Sequence, residues 1–398
     1  MPNSVGPNAQ AEDSLVLAFD TRDTKNSYIG EPTTNIATGL GFVPVALDPI
    51  TYIGMEDGWK KYSLGGTWNS GTYPYAFALT PVTFTGGLPY CSRATIKTNV
   101  HSKFNYFGAN GISYVNEPKN SEGTLSSTLN LDGSYTVTRY NFAYTNTTNQ
   151  AGYIFANPVS GITFDPTRDF VWVKEYQVEQ KTHPTQYVDG SRSVTQSLLS
   201  LAGSSTINLS NVSFDNNAQI VFDGSDDYLS ISSGFYPTTS CSVEFVFNHT
   251  HNLVGSKYLM YGAGGLGFTI FMRGDWAGDL LYFLRRVNNS GNYGDSAWGY
   301  TTGIYVSAPS NQNTHFIFTH DSGTGQFRCY KNGTLVRTID GNFKDSGGLN
   351  TTQVTHYLGG TPGDNFPMNL PIFKVYNRVL QDSEVQENYK AVKGQYNI

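Results

Sequence analysis

Phe222-Asp223-Gly224-Ser225-Asp226-Asp227-Tyr228-Leu229 sets a Gly/Asp cluster between two short apolar stretches, 219–222 and 228–231. Gly and Asp turn the backbone, and the stretches on either side read as strands. The same unit recurs outward in both directions. On the C-terminal side, 241–247, 267–272, 280–286, 315–320, 326–331, 334–339 and 370–376 all predict strands. On the N-terminal side, 135–142 and 170–178 alternate with period two, and 14–19 is apolar on both faces and so predicts a buried strand. Short strands punctuated by Gly, Asn and Asp indicate a sandwich or jelly roll. Asn332-Gly333 predicts a two-residue type I′ hairpin, which needs two positive φ angles. A single helix is expected at the end. Asp382 or Ser383 can cap it, Val385, Tyr389 and Val392 share one face, and Gly394 can stop it.

Composition agrees with an all-β chain. The 398 residues suffice for two or three domains. Tyr and Phe number 27 and 24, while charged residues are 14%, against roughly 25% in an average globular chain. The net charge of −6 carries no basic block, which argues against a grip on a nucleic-acid backbone. No run of 18 apolar residues predicts a membrane-spanning helix. Residues 1–13 are polar and do not read as a signal peptide, so assembly in a cytoplasm is expected. Cys91, Cys241 and Cys329 are far apart with no C-x-x-C pair, and are expected as buried, inert thiols.

From residue 195 onward the chain resembles the concanavalin A-like, laminin G-type jelly roll common in tailed-phage virion proteins. The resemblance rests on the 222–229 run, on Ser242-Val243-Glu244-Phe245-Val246-Phe247, on Tyr330-Lys331-Asn332-Gly333, and on 373–380 leading into Glu384-Val385-Gln386-Glu387-Asn388-Tyr389. In such proteins a first strand like Leu15-Val16-Leu17-Ala18-Phe19-Asp20 runs within a few dozen residues into a segment like Leu198–Leu201. Here that connection is far longer. The resemblance thus implies two jelly-roll sandwiches, one inserted in the other. One spans 13–27 and 188–398, the other 28–187, and 1–12 form an N-terminal arm. Insertion at a surface turn costs little, because loop closure grows only logarithmically with length. The insert resembles the galactose-binding-like jelly roll of carbohydrate-binding modules, on Gly30-Glu31-Pro32-Thr33-Thr34-Asn35 at its start and 171–179 with 185–188 at its end.

The residues point to binding rather than turnover. Glycosidases on the concanavalin-like fold need two carboxylates at alternating positions to flank one bond, and Glu244 stands alone on its strand. No G-x-S-x-G, H-E-x-x-H or P-loop occurs. Aromatic rings in Gly/Asn/Asp-rich loops suit the C–H faces of sugars. The candidates are Trp59, Trp68, Tyr73, Tyr75, Trp276, Trp298 and Tyr300, while Trp172 is expected in the core. Asp223, Asp226 and Asp227 could hold a calcium ion, but in the resembling family this run is mainly a turn. His249 and His251 form an H-x-H that a threefold axis could gather into a metal site, although an exposed turn explains them as well. No cofactor is required.

The expected function is a structural protein of a phage virion, either a head decoration or a surface-displayed lectin-like protein that stabilises the particle and binds glycans. Alternatives are a tail-fibre adhesin recognising host polysaccharide and a bacterial cell-surface lectin. The expected partners are other virion proteins, host glycans and further copies of the chain in a homotrimer. Neither nucleic acid nor membrane insertion is expected, and residues 1–12 are the expected docking arm.

Overall fold

The computed structural model describes residues 12–37, 42–43, 50–67, 75–79, 82–114, 119–121, 123–150, 152–214, 220–232, 234–237, 239–249, 256–263, 268–273, 280–285, 304–340, 354–361 and 364–398. The chain divides into two compact units. The first comprises Met1–Glu31 and Ser193–Ile398, and the second Pro32–Arg192.

The first unit is a sandwich of two antiparallel sheets. One sheet orders Ser213–Phe214, Ile220–Phe222, Met368–Tyr376, Cys241–His249, Thr314–Asp321, Gln326–Lys331 and Thr334–Ile339, with Leu15–Asp20 also paired to Met368–Tyr376. The other orders Ile207–Ser210, Tyr228–Ile231, His356–Leu358, Ser256–Gly262, Phe268–Arg273, Leu280–Arg285 and Ile304–Ser307. Side chains alternate across each strand, so Val243, Phe245 and Phe247 point inward to meet Leu229, Met260, Ile270 and Phe283 in one core. The Asn332-Gly333 turn has φ of 49° and 75° and joins Lys331 to Thr334, as its sequence predicts.

Close packing of that core sets a limit at Gly359. Its φ of +84° is unfavourable for any other residue, and an added Cβ would lie 2.1 Å from the Phe222 ring. Phe222 itself is fully buried. Gly359→Ala is therefore expected to cost about 2–4 kcal/mol in urea unfolding, the sum of overpacking and a left-handed non-glycine backbone. Gly394→Ala, on the helix with open space around it, should instead gain up to about 1 kcal/mol.

The outer face of the first sheet is covered by the one α-helix among the described residues, Asp382–Tyr396. Its limits differ from expectation. Gln381 is the N-cap, with Glu384 accepting the Gln381 N–H at 2.8 Å, and the helix continues through Gly394 to a left-handed Asn397. Burial of Tyr396, whose hydroxyl donates to Asp20 Oδ1 at 2.6 Å, outweighs the modest penalty of one helical glycine. Val385 packs with Ile317, Tyr330, Tyr376 and Leu380, and Val392 and Tyr396 with Val246 and Ile372.

The second unit has a larger sheet ordering Lys119–Ser121, Tyr135–Tyr144, Tyr90–Thr98, Phe170–Glu179, Trp59–Leu64 and Ile50–Glu56, with Thr124–Leu129 also on Tyr135–Tyr144. A four-stranded sheet orders Phe104–Tyr114, Gly152–Pro158, Tyr75–Leu79 and Phe42–Val43. Its core gathers Tyr62, Leu64, Ile96, Val137, Phe142, Val171, Val173 and Val178. The ends of this unit lie side by side, because Thr33–Thr34 pairs with Ser191–Arg192. Buried Glu179 fastens them, accepting from Thr33 Oγ1 at 2.5 Å, Thr185 Oγ1 at 2.6 Å and the Thr185 N–H at 2.8 Å. The first unit is closed at the matching place by the Tyr28–Leu198 bridge and the Ile29 N–H on Ser197 O.

Candidate functional site

In the larger sheet of the second unit, alternation along Phe170–Glu179 sends Val171 and Val173 into the core and Phe170, Trp172 and Lys174 to the opposite face. Trp172 stands directly across from Lys61 on one neighbouring strand and from Lys97 on the other. Two ammonium groups therefore flank its indole in one row across three strands. Lys61 Nζ lies 4.1 Å from the Phe170 ring centroid and 5.2 Å from that of Trp172. Lys97 Nζ lies 4.3 Å from Trp59 and 5.5 Å from Trp172, and Lys174 Nζ is 4.4 Å from Trp59. Each contact falls within cation–π range. Trp59 is buried beneath these charges, whereas Phe170 and Trp172 are only half-buried, 5.8 Å apart and edge to face.

Acidic groups are interleaved with the lysines. Glu56 pairs with Lys61 at 2.6 Å and accepts the Trp172 Nε1–H at 3.4 Å. Those two hydrogen bonds hold the Glu56 carboxyl below its usual pKa, so it stays ionised. Glu175 accepts from Thr95 at 3.1 Å and lies 3.5 Å from Lys174. Such a face offers ring surface, cations and hydrogen-bond acceptors together, the mixture that polar, ring-built ligands require.

Of the loop aromatics singled out from the sequence, Trp59 and Tyr75 are among the described residues. Trp59 belongs to the face just described but is covered. Tyr75 begins the Tyr75–Leu79 strand. Trp68, Tyr73, Trp276, Trp298 and Tyr300 lie outside the described residues, as do His251 and residues 1–11 of the arm. Trp172 is the correction. Expected in the core, it is turned outward by the pleat that buries both neighbouring valines.

The acidic turn is self-contained. Asp223, Asp226 and Asp227 bring ligand atoms within 4.8 Å of one another. Asp227 Oδ2 accepts the Asp223 N–H at 2.6 Å, Asp223 Oδ1 accepts the Ser225 N–H at 2.7 Å, and Asp226 Oδ2 accepts from Asn211 Nδ2 at 2.8 Å. Burial raises the Asp227 pKa. Every carboxylate thus has an amide donor, which is what a turn joining 220–222 to 228–231 needs. His249, expected on an exposed turn, instead ends the Cys241–His249 strand inside the core. It stacks on Phe247, and its Nε2 lies 3.2 Å from Ala308 O. Its odd position matches Val243, Phe245 and Phe247, which explains its inward direction.

Glu244 is fully buried, on the sheet face under the helix. It takes four partners: His315 Nε2 and Lys374 Nζ at 3.2 Å on Oε1, with Tyr376 OH at 2.6 Å and Asn388 Nδ2 at 2.7 Å on Oε2. Burial opposes its ionisation, but Lys374 and the hydrogen bonds from His315 and Tyr376 win and hold it well below the usual carboxylate range. The group is a fastener between sheet and helix. Cys91, Cys241 and Cys329 are all buried, and burial pushes the Cys329 thiol far up.

Residues 223–386 match the family model described as the concanavalin A-like lectin/glucanases superfamily. The first unit accordingly has the concanavalin A-like, laminin G-like fold. No curated protein matches this chain. Among solved structures, the binding domain of botulinum neurotoxin DC in complex with rat synaptotagmin II aligns at 15% identity and a TM-score of 0.40, over 50% of this chain and 49% of that one. The receptor binding domain of botulinum neurotoxin D aligns at 13% identity and a TM-score of 0.40, covering 51% of each chain. The botulinum neurotoxin type G receptor binding domain aligns at 17% identity and a TM-score of 0.38, over 49% of this chain and 48% of that one. The chain spans about half the length of these structures.

Proposed function

We propose that this chain is a non-enzymatic, lectin-like protein displayed on a tailed-phage particle, where it stabilises the assembly and binds glycans. The observation that carries the binding half is the outward Trp172, set with Phe170 among lysines and carboxylates on one sheet face. Sugar rings stack on such aromatics, while their hydroxyls donate to Glu56 and Glu175. Absence of turnover is supported by Glu244, the carboxylate of the Cys241–His249 strand, which is sealed and fully engaged. The virion setting and a homotrimeric state rest on the sequence resemblance of 195–398 to phage virion proteins.

A second reading, a tail-fibre adhesin, is favoured by the same face, since particle glue alone has no need of half-open rings. One experiment separates the two. Immunogold labelling of particles should place the protein on head or neck for a decoration protein and on the fibres for an adhesin. Free protein should block infection only in the second case. Binding to glycan arrays and host cells is expected in both and should fall at least tenfold in Trp172→Ala. Failure of the intact protein to bind any glycan or host surface would remove the lectin reading.

A further inference from the structure

We infer that the ligand of the Trp172 face is an acidic polysaccharide, one carrying carboxylates on its sugar rings. This deepens the glycan reading above and rests on it. The argument begins with charge. Lys61 has Glu56 and Lys174 has Glu175 within ion-pair distance, but among the described residues Lys97 has no carboxylate within 4 Å. It is held by two indole faces instead. A cation over an aromatic face with no carboxylate in contact is a place for an anion supplied from outside.

Geometry adds a spacing. Lys97, Trp172 and Lys61 occupy facing positions on three adjacent strands. The two flanking lysine positions are therefore roughly 10 Å apart, twice the interstrand distance, with an aromatic ring midway. A sugar stacked on Trp172 would present ring substituents to either side, and a linear acidic polysaccharide would bring a carboxylate to Lys97.

The interleaved carboxylates decide against the other polyanion that stacks on aromatics, single-stranded nucleic acid. Glu56 stands on the Trp172 nitrogen itself and Glu175 lies beside Lys174. Both are acceptors with room for a further donor beside the ones the protein supplies. An acidic sugar supplies hydroxyls between its carboxylates, whereas a phosphodiester backbone brings only further negative charge.

The test uses the intact protein in affinity electrophoresis and titration calorimetry against polygalacturonate, alginate and hyaluronate, with neutral dextran and galactan and a thymidine oligonucleotide alongside. At least one acidic polymer is expected to bind ten times more tightly than either neutral one, weakening as salt rises. Lys97→Met should remove that preference, and Lys97→Arg should restore most of it. Urea unfolding of both variants controls for folding, and an additional Lys97→Gln variant serves if the Met variant is unstable. Equal binding of neutral and acidic polymers, unchanged in Lys97→Met, overturns the acidic ligand and leaves the glycan reading standing. Binding of the oligonucleotide alone overturns both in favour of nucleic acid. Binding of none of the polymers also overturns the inference, and host-cell binding that persists in that case keeps the glycan reading separate.

Discussion

Glu244→Ala should destabilise the first unit by about 3–5 kcal/mol, the cost of breaking a buried ion pair from one side. The substitution strips Lys374 of its only carboxylate contact among the described residues. It also removes the acceptor of the Tyr376 hydroxyl and of Asn388 Nδ2, both enclosed between sheet and helix. The Tyr376 hydroxyl and the buried His315 Nε2 then lose their acceptor, Asn388 Nδ2 keeps only the Tyr376 oxygen at 3.1 Å, and the part-buried Lys374 loses its counter-charge. In calorimetry the transition of this unit should fall by on the order of 10 °C. A double variant, Glu244→Leu with Lys374→Met, leaves no buried charge and should recover more than 1 kcal/mol relative to the sum of the single changes. Strict additivity would show that the network is incidental to stability.

Acid should weaken the same unit in two stages, the first set by His356. Its ring meets Phe235 edge to face and stacks on Tyr236, with Nδ1 3.1 Å from Val354 O. Burial lowers its pKa to about 4, although the bond to Val354 opposes that shift. The unfolded chain takes up a proton on this ring below about 6.5, while the folded chain refuses it until about 4. Stability therefore falls as pH drops through that window, by roughly 3 kcal/mol in all, and this contribution flattens below it. The second stage belongs to Glu244, whose folded pKa lies below its ordinary value of 4.5. Its stabilisation is complete above that value and is lost as pH falls beneath it. Urea unfolding between pH 7 and 4 measures the first stage. His356→Phe keeps the ring stack and should remove a slope of about one proton, whatever it does to absolute stability. An unchanged slope would sink the assignment.

Much of the fold was legible because pleated strands write their burial into the chain. The runs 228–231, 326–331 and 334–339 coincide with the strands observed, and Asn332-Gly333 required the turn it makes. Parity also carried information that went unread. Val171 and Val173 in the core force Trp172 outward, and Val243 to Phe247 force His249 inward. What parity cannot convey is which element covers a face. Glu244 points away from the core by alternation, yet it is sealed by a helix more than a hundred residues later. The lysines around Trp172 were hidden for the same reason, since Lys61, Lys97 and Lys174 meet only through strand register. Loop aromatics were favoured over strand aromatics on the premise that exposure belongs to loops, and a one-sided sheet breaks that premise.

The clasp that holds Tyr28 and Ile29 against Leu198 and Ser197 bears on how such a chain can change over generations. Those four residues already sit as ladder neighbours, so removing everything from 32 to 192 leaves a gap that a few residues of turn would bridge. Thr33–Thr34 and Ser191–Arg192 give the excised piece its own fastened ends. A gene with paired seams of this kind can exchange one inserted unit for another in a single recombination, without redesigning the sandwich that carries it.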